Sequence, residues 1–134
     1  DIYNYSKLCA DLAIPVIATE VAPGGFHGFV PWITERATDM LRADVALKGG
    51  ITGVLKSCAL ADAFHMNVEL HHAGNSLNNI ANLHVAMAVQ NCSAFEVLLP
   101  EEARTFGVLD DIRVGADGHV EAPRGPGLGV QIDF

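Results

Sequence analysis

The chain has 134 residues, half of them hydrophobic and only 18% charged, a composition that predicts one packed domain and excludes a disordered polyelectrolyte. Its net charge of −8 argues against nucleic acid or an anionic membrane surface as the main partner, and no apolar run approaches the ~20 residues of a membrane span. Cys9, Cys58 and Cys92 are scattered and odd in number, which predicts free thiols in a soluble cytoplasmic protein rather than a disulfide framework.

Short strands and amphipathic helices alternate in the first half of the chain. Residues 2–13 place apolar side chains at helical spacing, and residues 15–20 form a short β-branched run. Residues 27–37 can form a helix, because Pro31 falls near its first turn, where a missing N–H is tolerated. Residues 39–44 are the next predicted strand.

The second half repeats this order with clearer helices. One helix follows the Gly49-Gly50 turn, and another is predicted at 76–90 after a strand at 67–72. Residues 93–98 are the last predicted strand. The apolar stripes of the two helices consist of Ile51, Val54, Leu55, Cys58 and Ala61, and of Ile80, Leu83 and Met87.

Polar side chains recur at the ends of the four predicted strands. Glu20, Asp44, His71 and Glu96 are spaced by about 25 residues, or about one strand–helix unit. Such alternation predicts parallel strands joined by right-handed crossovers, and barrel enzymes keep their chemistry at the C-terminal ends of these strands. The pattern therefore predicts part of a (β/α)8 barrel with the four side chains pointing inward. A flavodoxin-like open sheet is the alternative, although the turns APGG and KGG lack the glycine patterns of nucleotide sites.

Strand alternation also assigns the neighbours of these four residues. By this alternation Arg42 and Glu69 point inward as well, where buried charges must be paired. We expect Arg42 and Glu69 to contact each other, or each to find a partner on a strand outside this chain. The residues expected to point outward are Ile17, Thr19, Leu41, Ala43, Val68, Leu70, Phe95 and Val97.

The stretch ADVALKGGITGVLKSCALADAF, followed by a strand that ends in His71, resembles the mandelate racemase subgroup of the enolase superfamily, within the mandelate racemase/muconate lactonizing enzyme family. In that subgroup an aspartate precedes a GG[IV]TG turn and pairs with a histidine at the end of the next strand. Asp44, the turn at 49–53 and His71 match this pattern in order and spacing. The resemblance covers nearly the whole chain and implies an α/β fold, the C-terminal half of a TIM barrel with strands five to eight.

The resemblance implies a catalytic or metal-binding role for each strand end. His71 would be the general base, and Asp44 would fix its tautomer. Glu20 matches the last of three acidic ligands of an essential Mg²⁺. Glu96 matches an acidic residue on the eighth strand that hydrogen-bonds the substrate carboxylate, and it must be protonated if it donates.

His72 and Asn75 are candidates for substrate binding. Alternation places His72 outward or in the following loop, where it ranks behind His71 as the base and would line the mouth of the site with Asn75. A histidine at a strand end is ordinarily a satisfied core or surface side chain. The coupled spacing of Asp44 and the GGITG turn favours a catalytic role for His71.

The same resemblance implies parts of an active site that lie outside this chain. Residues 1–100 are interpreted as the second half of the barrel, and residues 101–134 as a segment that returns to an N-terminal capping domain. That domain, a Lys-x-Lys motif and two metal ligands would precede Asp1. Four strands cannot close an eight-stranded barrel, so we expect residues 1–134 alone to be inactive without this missing N-terminal half. We also expect the complete protein to be a homo-oligomer.

The expected reaction is Mg²⁺-dependent removal of the α-proton of a small hydroxy-carboxylate, which gives an enediolate. Dehydration of an acid sugar is favoured, because a histidine can return its proton to the departing β-hydroxyl and the polar segment at 71–79 suits a hydroxylated substrate. Racemisation or epimerisation is the alternative and needs a second base outside this chain. A non-catalytic binding or structural module is the alternative from a different class.

Overall fold

A parallel sheet of three short strands lies at the centre of the computed structural model, which describes residues 1–72, 74–103 and 105–134. The strands are hydrogen-bonded in chain order, β1 to β2 and β2 to β3. They are β1 (Ile17–Ala18), β2 (Met40–Ala43) and β3 (Val68–Leu70). Consecutive parallel strands require crossover connections, and the helices supply them.

Helices fill the intervals between the strands in the predicted order. The helix predicted at 27–37 is shorter than expected, because a 3₁₀ turn precedes it and Arg36 takes a positive φ of 49°. In the part of the chain that the structure describes, no helix is both long and apolar enough to cross a membrane. The helices are α1 (Ile2–Asp11), a 3₁₀ helix (Gly25–Phe29), α2 (Val30–Thr34), α3 (Gly50–Asp62), α4 (Ser76–Ala88) and a second 3₁₀ helix (Glu101–Ala103).

Three glycines shape the turn that joins β2 to α3. Gly49 and Gly50 have φ values of 85° and 74°, in the left-handed region that glycine adopts readily. A Cβ on Gly53 would lie 2.0 Å from the carbonyl oxygen of Lys48. Backbone geometry therefore requires glycine at these positions of GGITG, and the turn fixes the path of the chain just after Asp44.

The hydrophobic core lies where the sheet packs against α3 and α4. The four outward side chains of β2 and β3 are at most 1% exposed and belong to one cluster with residues of both helices. The predicted alternation is therefore confirmed for these strands. It is wrong for β1, since Ile17 is 40% exposed and Thr19 leaves the strand with a φ of 91°. The four buried residues are Leu41, Ala43, Val68 and Leu70.

The predicted apolar stripes of α3 and α4 are partly wrong. Ile51 and Leu55 of α3 are 41% and 37% exposed, and Met87 of α4 is 52% exposed. Helix α4 instead buries several polar side chains, because its first half contacts the ends of β2 and β3. The buried residues of the two helices are Val54, Ser57, Cys58 and Ala61, and Ser76, Asn79, Ile80, Asn82, Leu83 and Val85.

The strand predicted at 93–98 is reduced to one parallel bridge between Leu70 and Phe95. Its first two N–H groups, those of Ser93 and Ala94, donate to the carboxylate of Glu69 at 3.3 and 3.1 Å. Because a side chain accepts these hydrogen bonds, the backbone of β3 does not form a regular ladder with this segment. Glu69 thus fastens the segment that carries Glu96 to the edge of the sheet.

Residues 101–103 and 105–134 are largely irregular, and this segment packs against α4. Val108 and Ile112 are buried in a second cluster with Ile80 and Leu83 of that helix. The segment therefore covers the outer side of α4. Its return to a capping domain remains a prediction.

The three cysteines are free thiols, as predicted. Burial, with a smaller contribution from Cys92, raises the pKa of Cys58 to about 12. Cys58 lies in the main hydrophobic cluster and therefore acts as a small apolar side chain.

Candidate active site

The structure brings the four predicted strand-end residues into one connected group. Glu20 follows β1, Asp44 follows β2 and His71 follows β3, while Glu96 lies next to the bridge at the edge of the sheet. The carboxyl ends of parallel strands meet at one edge, which explains how residues far apart in sequence come together. Hydrogen bonds and ion pairs through His71 and Arg42 connect them.

His71 and Asp44 form a hydrogen-bonded pair. Nδ1 of His71 lies 2.8 Å from Oδ2 of Asp44. Asp44 is only 3% exposed, whereas the His71 side chain is 19% exposed. A buried carboxylate thus holds one side of an imidazole ring whose other side remains accessible, as required when a carboxylate orients a basic histidine.

Asp44 accepts hydrogen bonds from several donors besides His71. The backbone N–H of Ala46 donates to Oδ1 at 2.8 Å, and the side-chain amides of Asn78 and Asn82 donate from α4. Burial by itself raises the pKa of Asp44, but these hydrogen bonds, that of His71 foremost, outweigh it and hold the pKa below its ordinary value. Asp44 is therefore an ionised acceptor at neutral pH.

The second ring nitrogen of His71 faces Glu20. Nε2 lies 3.3 Å from Oε1 of Glu20, whose side chain is 30% exposed. The candidate metal ligand therefore lies directly beside the nitrogen that would act as the base.

Arg42 joins Glu20 to Glu96, so the predicted pairing of Arg42 with Glu69 is wrong, while a partner on a strand outside this chain stays a prediction. Its Nε donates to Oε2 of Glu20 at 3.1 Å, and its Nη2 donates to Oε2 of Glu96. Glu69 instead accepts from the hydroxyl of Ser93 at 2.7 Å. Although Arg42 and Glu69 are register partners on β2 and β3, the long guanidinium side chain extends to the strand ends, where two carboxylates lie.

Glu96 is the acceptor in both hydrogen bonds described for it. Arg42 is one donor, and the backbone N–H of His72 is the other at 3.0 Å. An ionised carboxylate satisfies both donors, whereas the resemblance requires a protonated group if Glu96 donates to a substrate carboxylate. The geometry therefore favours an acceptor role for Glu96, and its contact with substrate remains a prediction.

His72 and Asn75 both have structural roles. His72 is fully buried, its Nδ1 accepts from the backbone N–H of Leu98 at 3.1 Å, and its ring packs edge-on against Phe95. Burial argues against a substrate contact by His72. Asn75 is the N-cap of α4 and accepts from the N–H of Asn78 at 2.9 Å. Asn75 is exposed, so its substrate contact stays a prediction.

Lys48 is a buried cation near the site that sequence reasoning missed. It is 1% exposed, its Nζ donates to the carbonyl of Ala22 at 2.6 Å, and it lies 4.7 Å from the ring centroid of Phe29. Burial lowers the pKa of Lys48, and the negative charge of Glu20 opposes this shift. Lys48 ties the loop after Glu20 to the GGITG turn, although no sequence pattern separates it from a solvated lysine.

Glu20 fits Mg²⁺ as one oxygen ligand, because its carboxylate is a hard donor and is partly exposed. Within residues 1–72, 74–103 and 105–134, no three His, Cys, Asp or Glu side chains form a metal-binding group. Mg²⁺ takes about six oxygen ligands, so most of them would come from water, substrate or residues outside this part of the chain.

Comparison with known proteins assigns this chain to a family. A family model described as enolase C-terminal domain-like matches residues 1–134, the whole chain. The chain belongs to this family. The enolase-type domain confirms the predicted fold class, in which the parallel strands and their helices are the C-terminal half of a (β/α)8 barrel.

Several curated relatives of this enolase-type chain are acid-sugar dehydratases. The D-galactonate dehydratase of Ralstonia pickettii is 30% identical over 136 residues, which cover 97% of this chain and 35% of that protein. The arabinonate dehydratase of Saccharolobus solfataricus is 28% identical over 127 residues, which cover 95% of this chain and 34% of that protein. The chain thus spans about a third of the length of these relatives.

Solved structures share the same fold. D-glucarate dehydratase from Agrobacterium tumefaciens, determined in complex with magnesium, is 36% identical with a TM-score of 0.85; the match covers 100% of this chain and 35% of that one. A structure from Pseudovibrio sp. of the mandelate racemase/muconate lactonizing enzyme type is 32% identical with a TM-score of 0.93, and covers 99% of this chain and 36% of that one.

Proposed function

We propose that this chain supplies the base-bearing half of an active site that removes the α-proton of an acid sugar and eliminates water from it. The contact between Nδ1 of His71 and Oδ2 of Asp44 is the observation that carries the proposal. Because Asp44 is an acceptor, the tautomer with its proton on Nδ1 fits this contact, and in that tautomer Nε2 would carry the lone pair that a general base requires.

The proton balance of the reaction needs only one histidine. Nε2 of His71 takes the α-proton, and the electron pair moves into the substrate carboxylate to give an enediolate. When the electrons return, the bond to the β-hydroxyl breaks, and His71 gives its proton to the departing oxygen to form water. The resulting enol becomes a 2-keto-3-deoxy acid. The histidine ends in its starting state, which is why dehydration is favoured over a reaction that needs a second base.

Mg²⁺ is part of the proposal, with Glu20 as one ligand. When bound, it would stabilise the negative charge that develops on the substrate carboxylate. Arg42 holds Glu20 through Nε, and the contact of Glu20 with His71 keeps the metal side of the site next to the base. The magnesium complex of the Agrobacterium tumefaciens D-glucarate dehydratase supports this cofactor for a relative of the same fold.

Product analysis on the complete protein tests the reaction type. The purified protein would be incubated with the acid sugars for which the relatives are named, and products would be followed by proton NMR. Dehydration predicts a 2-keto-3-deoxy acid, loss of the product after chelation of divalent ions, and recovery with Mg²⁺. Detection of an epimer of the substrate would instead identify the reaction as racemisation or epimerisation. The absence of both products with every acid sugar tested would overturn the proposal and favour a non-catalytic binding module.

A further inference from the structure

Two asparagine side chains of α4 converge on the carboxylate of Asp44. Nδ2 of Asn78 lies 3.0 Å from Oδ1 and 3.3 Å from Oδ2, and Nδ2 of Asn82 lies 3.3 Å from Oδ1. Residues four apart occupy one face of a helix, so both amides approach Asp44 from the same side. Neither asparagine belongs to the strand-end pattern that predicts the dyad.

Asn82 also connects the dyad to the backbone on both sides. It is fully buried, and its Nδ2 donates to the carbonyl oxygen of His71 at 3.1 Å. Its Oδ1 accepts the N–H of Val45 at 3.0 Å. One carboxamide therefore links the residue after Asp44, the backbone of His71 and α4. Replacing a polar group with so many buried partners would leave several of them unsatisfied.

We propose that Asn78 and Asn82 are positioning residues that hold Asp44 in the orientation in which it selects the reactive tautomer of His71; this inference rests on the function proposed above. The two amides and the N–H of Ala46 engage Oδ1, with Asn78 also 3.3 Å from Oδ2, and Oδ2 remains directed at Nδ1 of the histidine. The asparagines act through Asp44 and make no contact with the reacting atoms.

The chemistry of the donors explains why they fix the tautomer. An amide NH₂ donates and cannot accept, so both contacts require Asp44 to present acceptor oxygens. At 2.8 Å from such an oxygen, a protonated Nδ1 is attracted and an unprotonated Nδ1 is repelled. Rotation of the carboxylate away from the ring would break the contacts from α4. The amides thus favour the proton on Nδ1, which in the neutral ring leaves the lone pair on Nε2.

Asn78→Leu in the complete protein is the direct test, because Asn78 is half-buried and leucine has the same side-chain branching and number of heavy atoms without donors. We expect kcat to fall on the order of 10- to 100-fold, a size known for the loss of hydrogen-bond partners of metal-binding histidines, while KM changes much less. In the ¹⁵N spectrum of histidine-labelled protein, the ring of His71 should change from one tautomer to a mixture. Asn78→Gln, which keeps an amide donor, should recover part of kcat.

Asn91→Leu is the matched control for a merely structural effect. The side chain of Asn91 donates to the carbonyl oxygens of Cys58 and Met66, each at 3.0 Å, away from the dyad. Its loss should lower the denaturation midpoint without changing kcat per folded molecule or the ¹⁵N shifts of His71. If Asn78→Leu fails to fold, Asn78→Ala replaces it, since alanine is compatible with a helix.

Two outcomes separate failure of this inference from failure of the proposed function. If His71→Asn abolishes turnover while Asn78→Leu keeps the kcat and the His71 ring shifts of the unmodified protein, the positioning role is overturned and the function stands. If His71→Asn retains full turnover, the proposed function fails first, and the positioning role fails with it.

Discussion

Asp44 is the residue on which the geometry of the candidate site depends most. Its carboxylate is nearly inaccessible to solvent, yet its pKa is held below the ordinary value of 3.8 by donors from a backbone amide, a histidine and two asparagines. A folded-state pKa below the unfolded one stabilises the fold above the unfolded pKa, and this contribution is lost as the pH falls through the folded value.

Asp44→Asn tests this linkage in the complete protein. The denaturation midpoint of the unmodified protein should exceed that of the variant above about pH 5, and the difference should shrink below about pH 4 as Asp44 becomes protonated. Asp62→Asn, on the exposed side of α3, controls for removal of a carboxylate. A difference that stays constant down to pH 2 would contradict the stabilising role of the ionised form.

The direction of a side chain could be predicted from the sequence where strand periodicity alone determines it. Asp44 and His71 end successive strands, so their approach follows from the repeat. The partners of Arg42 were not predictable, because its long side chain can reach groups at more than one level of the barrel. The nearby carboxylates of Glu20 and Glu96 determine which groups it contacts. Asn78 and Asn82 could have been identified from the sequence, since they are polar residues four apart on the buried side of a helix.

At the scale of elements, the turn between β2 and α3 couples the fold to the site. Gly53 cannot carry a side chain without meeting the carbonyl of Lys48, and Lys48 in turn holds the loop after Glu20 through Ala22. The turn before α3 therefore contacts the loop that follows Glu20 and directly continues the segment that carries Asp44 after β2.

Gly53→Ala should lower the stability of the complete protein by about 1–3 kcal/mol, the usual cost of overpacking, because a Cβ would lie 2.0 Å from a backbone oxygen. This cost exceeds the gain of up to about 1 kcal/mol that alanine brings to a helix interior. Thr52→Ala, at an exposed neighbouring position, should not be destabilising. Equal denaturation midpoints for the two variants would contradict the close approach.

Some helices and strands could be predicted from the sequence and others could not, for physical reasons. Gly49-Gly50 and the stripe of α3 located that helix correctly, because both reflect local conformation. The strand at 93–98 was predicted from composition, yet Glu69 accepts its first N–H groups and leaves a single bridge. Met87 of α4 is exposed although it fits the apolar stripe, since periodicity does not specify which apolar faces receive a partner.

The whole chain presents half of an enolase-type barrel with much apolar surface uncovered. Helix α1 is amphipathic but buries none of its residues, and Tyr3, Ile14 and Val21 are 75%, 68% and 81% exposed. The inactivity of residues 1–134 alone and homo-oligomer formation both remain predictions.

We propose that the Asp44–His71 pair removes the α-proton of the substrate. Loss of the substrate α-proton in D₂O, followed by NMR for the complete protein and for His71→Asn, tests it most directly. We predict that the variant retains its fold and Mg²⁺ binding but loses the α-proton at least about 100-fold more slowly, as expected for removal of a general base. Loss of the α-proton at the unmodified rate in folded His71→Asn would contradict the claim.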